Sequence, residues 1–120
     1  MDALTDSTLE AHAMPIQWSE LIEYSVESVK SKVASMAGVY RLSARDDAGE
    51  YRVFYVGQAN DLRARLLQHL GDGEPNECIR TERKKPCKFR IVYVERQEGR
   101  DQVESETIQE FSPRCNAKKP

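Results

Sequence analysis

Between Trp18 and Val33 the apolar residues Leu21, Ile22, Val26, Val29 and Val33 recur at helical spacing, which places them on one face of a helix. The pattern predicts an amphipathic helix over about 18–34, packed by that face on a core. Residues 1–15 show no periodicity and end in Pro15, as expected of a flexible N-terminal tail. Beyond the helix the period changes. Gly38 opens a strand over 39–43, and a polar turn containing Asp46, Asp47 and Gly49 follows. Tyr51 to Val56 is a second strand, so 38–56 reads as an antiparallel hairpin. Gly57 ends it, where a residue without Cβ suits a sharp exit or a close backbone approach.

A helix is predicted from Asn60, a good N-cap, with Asp61 suited to the first turn. It runs to about Leu70, with Leu62, Leu66 and Leu70 on one stripe. Residues 71–76 break the chain, and a short helix is expected near 77–82. Lys88 to Val94 alternates and is rich in β-formers, giving a third strand. After Gly99 a last helix runs to about Phe111, and Pro113 stops it. The order predicts an α+β domain: a three-stranded antiparallel sheet flanked by helices, with an N-terminal amphipathic helix. One domain is expected over 16–120.

No apolar run approaches the roughly 20 residues of a membrane helix, and the acidic, polar start is no signal peptide. A cytoplasmic protein that does not engage membranes is the expectation. Cys78, Cys87 and Cys115 are odd in number and form no CxxC pair. With two distant histidines they complete no zinc site, so all three are expected to be reduced. The net charge of -2 is by itself unsuited to nucleic acid, but its distribution is uneven. Residues 1–36 carry -4, whereas 78–90 hold Arg80, Arg83, Lys84, Lys85, Lys88 and Arg90 against Glu82 alone, a local +5. Such a cluster contacts phosphates in some proteins and is a solvated loop in others.

Candidate chemistry follows from helical and strand phase. Arg65 and His69, four residues apart, share a helix face with Asp61; the set is either a phosphate cradle or a surface ion pair beside a histidine. Glu104 lies close to the stripe of Ile108 and Phe111, where a carboxylate is costly unless paired or bound to a cation. Alternatively, Asp101 and Glu104 form a capping box at the helix start. Tyr40 and Tyr55, on the two hairpin strands, serve either packing or chemistry.

The arrangement of these residues is more specific than any one of them. Gly38-Val39-Tyr40 and Tyr55-Val56-Gly57 resemble the paired motifs that name the GIY-YIG nuclease family. The likeness extends through Gln58-Ala59-Asn60-Asp61-Leu62 to Arg65 and His69. Downstream, Glu104 is followed by Phe111-Ser112-Pro113-Arg114-Cys115-Asn116, similar to the family's ending. The resemblance spans about residues 37–116 and implies roles. Tyr40 would contact or deprotonate the attacking water, and Tyr55 would position it or the scissile phosphate. Arg65 would stabilise charge on the phosphate, with His69 assisting. Glu104 would be the sole protein carboxylate on a divalent metal, and Asn116 would fix the local backbone or the phosphate. Many family members carry lysine where Gln58 stands; glutamine can only hydrogen-bond, which leaves open which group is the general base.

The implied activity is metal-dependent endonucleolytic hydrolysis of DNA, with Mg2+ or Mn2+ as the metal. Magnesium keeps waters and borrows phosphate oxygens, so it would arrive largely with substrate. Gln58, Asn60, Arg80, Lys84, Lys85 and Lys88 are candidate DNA contacts. No separate DNA-reading domain is evident, so specificity is expected from a partner protein, from self-association, or to be low. The rival readings are an inactive nucleic-acid-binding or protein-interaction module of the same fold, and a nuclease acting on RNA or branched structures.

Overall fold

The computed structural model describes residues 16–116; the expected tail over 1–15 lies outside them. The order is β1 (Ile22–Glu23), α1 (Val26–Lys32), β2 (Gly38–Arg45), β3 (Tyr51–Ala59), α2 (Leu62–Leu70), α3 (Glu77–Glu82), β4 (Cys87–Tyr93), α4 (Gln97–Phe111) and a 3-10 turn at Arg114–Asn116. Among the described residues the sheet has four strands in the order β1-β4-β2-β3, every pair antiparallel. The α+β class is as expected; the count of three strands is corrected to four.

The fourth strand comes out of the segment predicted to be one long helix. Ile22 and Glu23 pair with Phe89 and Lys88 at the β4 edge, and upstream the Ser19 N–H donates to the Ile91 carbonyl at 2.8 Å. Only 26–32 is helical, begun by Ser25, whose Oγ accepts from the Ser28 N–H at 3.1 Å. The apolar set over 21–33 also fits a strand followed by one helix. Ile22 of β1 and Tyr24 just beyond it are buried two apart, Val29 of α1 and Val33 at its C-terminal cap four apart, and Val26 is left exposed. Pairing with β4 satisfies backbone groups that a helix alone would have satisfied locally, and burial of both pairs decides between the two.

The hairpin is longer than its sequence pattern. Its turn is held by Asp46, whose Oδ1 accepts from the Ala48 and Glu50 N–H groups, both at 2.9 Å, and Gly49 adopts φ +86°, where a Cβ is disfavoured. A bulge between Leu42 and Ser43 shifts the register, so Leu42 faces Tyr55 and Ser43 faces Val53. Phe54 is thus the extra residue, and it joins Tyr55 in the core on one face of the sheet.

The sheet is covered on both faces. One core contains Tyr40, Leu42, Phe89 and Ile91 from the strands with Val29, Leu62, Leu66 and Ile79 from α1, α2 and α3. A smaller core joins Val39 and Val56 to Val103 of α4, with Trp18 and Ile108 beside it. Cys78 and Cys115 form a disulfide across 37 residues, with Cα atoms 5.4 Å apart; only Cys87 is a free thiol. This corrects the expectation of three reduced cysteines. Sequence spacing carries no information about the pair, because the approach of the 3-10 turn to α3 sets it.

Candidate active site

Two consequences of strand phase build the site. Tyr40 faces Gly57 across the ladder and Leu42 faces Tyr55, so Tyr40 and Tyr55 are diagonal neighbours on one face of the sheet. Their ring centroids lie 6.1 Å apart. Gly57 is required by this contact: a Cβ there would lie 2.5 Å from the Tyr40 Oη. Gln58, one residue on, points to the opposite face and meets α4. Since β3 is an edge strand, the site wraps around that edge, with the tyrosines and α2 on one side and α4 on the other.

On the first side, α2 is capped by Asp61, whose Oδ1 accepts from the Ala64 N–H at 3.0 Å. The cap is therefore Asp61 rather than the expected Asn60. The helix presents Arg65 exposed and His69 buried. The Tyr40 Oη lies 2.6 Å from His69 Nε2, and His69 Nδ1 lies 2.5 Å from Glu74 Oε1. A carboxylate only accepts, so Nδ1 carries the hydrogen and Nε2 accepts from the Tyr40 hydroxyl. Burial lowers the His69 pKa, opposed by Glu74, while Arg65 and Arg83 add to the lowering. Burial raises the Tyr40 pKa well above the tyrosine range, reinforced by Tyr55 and opposed by Arg65. Tyr55 is raised by burial and by Glu104, with Arg65 again opposing. Arg65 is the cation that favours both tyrosinates. A cleft of about 640 Å³ opens here, lined among others by Tyr55, Arg65, Gln68, His69, Glu74 and Asn76.

On the other side, the Gln58 amide is fully engaged within the protein. Its Nε2 donates to Glu104 Oε1 at 2.8 Å and to Asp101 Oδ1 at 2.9 Å, and its Oε1 accepts from Gln97 Nε2 at 2.8 Å. Helix α4 begins at Gln97, two residues before the Gly99 expected to precede it, with no side-chain cap at Arg96. Asp101 and Glu104 are thus interior residues one turn apart, and the capping-box alternative fails. Glu104 is half-buried at the rim of the β3 edge. Asn116 occupies the edge itself: its Oδ1 accepts from the Val56 N–H and its Nδ2 donates to the Val56 carbonyl, both at 2.8 Å. An asparagine side chain here takes the place of a neighbouring strand.

The candidate DNA contacts separate. Asn60 is exposed near the site and its Oδ1 accepts from Arg100 Nη2 at 3.1 Å. Arg80 donates to the Glu74 carbonyl at 2.7 Å, beside the cleft. Lys85 pairs with Glu82 at 3.0 Å, and Lys88 sits over the Tyr51 ring at 4.7 Å. In the register Lys88 faces Ser43, toward the hairpin turn and away from the Gly38 end that holds the site. Lys85 and Lys88 are therefore not gathered with Tyr40, Tyr55 and Glu104. Two other residues, Glu74 and Arg100, carried no signal in the sequence, and Arg83 was visible there only as part of the basic cluster. Glu74 lies in a break without periodicity, so nothing signalled its burial. Arg83 donates to the last carbonyls of α2, His69 at 2.6 Å and Gly71 at 2.8 Å. Arg100, also buried, binds the Val94 and Glu95 carbonyls.

The fold thus brings to one strand edge a carboxylate at the rim, an Arg and a His on one helix, and two tyrosines packed against a glycine. The chain belongs to the UvrC-like GIY-YIG domain family, whose pattern matches residues 36–117. Among solved structures it is similar to the GIY-YIG N-terminal endonuclease domain of UvrC from Thermotoga maritima. The magnesium-bound form aligns with a TM-score of 0.58 at 18% identity, covering 76% of this chain and 98% of that one. A point-mutant form bound to its catalytic divalent cation gives 0.58 at 17%, over 77% and 98%. At this identity the likeness is one of fold. No curated protein matches the chain. Among the described residues no helix is long and apolar enough to cross a membrane.

Proposed function

We propose that the protein is a metal-dependent endonuclease that hydrolyses phosphodiester bonds in DNA. The observation that carries this reading is the convergence of Tyr40, Tyr55, Arg65, His69 and Glu104 around one strand edge from four separate elements. Packing alone does not require a guanidinium beside one buried and one half-buried phenol and a carboxylate on the far side of the same strand. The family relation supports it independently.

The donor set suits a magnesium ion that brings its other ligands. Among the described residues no group of three or more His, Cys, Asp and Glu converges, so Glu104, with Asp101 on the same Gln58 amide, would leave waters and phosphate oxygens to complete the shell. When bound, the ion supplies Lewis-acid stabilisation of charge on the phosphate. Gln58 holds Glu104 in place through its 2.8 Å hydrogen bond. Arg65 draws the scissile phosphate into the cleft and stabilises it as charge builds. Tyr55, lining the cleft, orients the attacking water. Tyr40 has 0% of its surface exposed, so its hydroxyl meets the attacking water only if the side chains around it, the exposed Arg65 among them, move on substrate binding. Asn116 keeps Val56, and so the Tyr55 backbone, in register. A cytoplasmic location and a single domain over 16–120 remain part of this proposal.

The complete burial of Tyr40 is the one feature that favours an inactive binding module instead. Incubation of supercoiled plasmid with the wild type and with Glu104→Ala separates the readings. The expected result is nicking in magnesium, none in chelator, and none by Glu104→Ala at unchanged melting temperature. Equal nicking by both proteins removes the metal role of Glu104, and no nicking of supercoiled, forked or RNA substrates by the wild type leaves the binding module.

A further inference from the structure

We infer that Glu74 is a positioning residue of the reaction: it fixes His69 in the tautomer and orientation that make Nε2 the acceptor of the Tyr40 proton. The inference rests on the nuclease reading above and deepens it. Glu74 and His69 each have 6% of their surface exposed, and a carboxylate is costly at such a site unless its oxygens are satisfied. Both are. Oε1 meets His69 Nδ1 at 2.5 Å and Oε2 accepts from the Asn76 N–H at 2.8 Å. The backbone of Glu74 is fixed as well, since Arg80 donates to its carbonyl at 2.7 Å, and Arg83 holds the His69 carbonyl at 2.6 Å. The imidazole is thereby gripped at Nδ1, at its own backbone and, through Nε2, by Tyr40.

The result is a carboxylate–imidazole–phenol chain, in which the carboxylate orients the base as in a serine protease while a tyrosine stands in the nucleophile's place. The proton balance closes. As water attacks phosphorus, its proton passes to the Tyr40 oxygen while the Tyr40 proton passes to His69 Nε2. The P–O bond to the leaving oxygen breaks, and the imidazolium, stabilised by Glu74, later returns the proton to that oxygen or to solvent. No tyrosinate need form in advance, which suits a phenol whose burial opposes ionisation. It also relieves the want of a lysine at Gln58. The charged and titratable groups facing His69 are Glu74, Arg65 on its own helix, Arg83 beyond α3, and Tyr40 and Tyr55 from the sheet.

Glu74→Gln tests the inference in the full chain by two readouts. Imidazole 15N shifts, assigned by difference against His69→Ala because His12 is the other histidine, report the tautomer whether or not the protein cuts DNA. The expected result is Nδ1–H in the wild type and loss of that preference, with a lower His69 pKa, in Glu74→Gln. In plasmid cleavage kcat should fall about 10²–10⁴-fold at little changed KM, as when the orienting carboxylate of a triad is neutralised. The acid limb of the pH profile should move to lower pH, Glu74→Asp should recover part of the rate, and Glu74→Gln combined with His69→Ala should be no worse than His69→Ala alone. A wild-type His69 protonated at Nε2 overturns the inference. So does a Glu74→Gln protein with wild-type kcat, or one whose loss simply adds to that of His69→Ala. Should the wild type cut nothing while the tautomer depends on Glu74, the positioning stands and the nuclease reading is what fails.

Discussion

Replacing Gly57 by alanine adds one carbon where the site has no room. The new Cβ would lie 2.5 Å from the Tyr40 Oη, 2.7 Å from its Cζ and 3.0 Å from the Tyr55 Cε2. Ordinary contact begins at 3.4 Å, so the Tyr40 hydroxyl must retreat by about 0.9 Å or β3 must bow outward. Neither is easy. Tyr40 has no exposed surface, and its hydroxyl is held at 2.6 Å by His69, itself held at 2.5 Å by Glu74. Overpacking of this kind costs roughly 1–3 kcal/mol, which a melting curve will register while most of the protein stays folded at room temperature. The catalytic cost should be larger in proportion, because a displacement of about 1 Å in a reacting group commonly costs on the order of 10²-fold in rate. Plasmid nicking at saturating DNA, corrected for the folded fraction, measures it. A Gly57→Ala protein that melts lower but turns over like the wild type would refute the claim that the Tyr40–His69 contact is part of the chemistry.

Other perturbations address separate parts of the argument. Arg65→Ala should lower turnover by about 10²–10³-fold with a smaller loss of affinity, since the charge acts most on the developing transition state; equal losses in single-turnover rate and binding would make it a ground-state clamp. Reducing the Cys78–Cys115 disulfide releases a constraint across 37 residues, for which chain entropy predicts about 3–4 kcal/mol and a fall in Tm on the order of 15 °C; an unchanged Tm with both thiols shown to be free would contradict this. Lys84→Ala with Lys85→Ala should flatten the dependence of log affinity on log salt by about one unit, at roughly 0.9 per phosphate contact, because the Lys85 ammonium is already paired with Glu82. A slope that does not move places the DNA at the β3 edge around Arg65 and Asn60 alone.

Much of the fold was legible because its signals are local. Period-2 alternation with a polar turn identified the hairpin, and a leucine stripe identified α2. The candidate residues Tyr40, Tyr55, Arg65, His69, Glu104 and Asn116 came from motif order, and the fold brings them around one strand edge. What sequence left undecided were choices between partners distant along the chain. The apolar set at 21–33 fits either a helix or a strand with a shorter helix, and pairing with β4 settled it. Glu104 suited a cap as well as a site, until Gln58 from β3 was found bonded to it in mid-helix. Cysteine spacing said nothing of the disulfide, and no pattern marked Glu74 in an irregular loop. Local periodicity determines which residues turn inward, because each element must bury one face. Which inward residues then meet is determined only when the elements pack, since burial of a carboxylate or imidazole is stable only beside the partner that packing supplies.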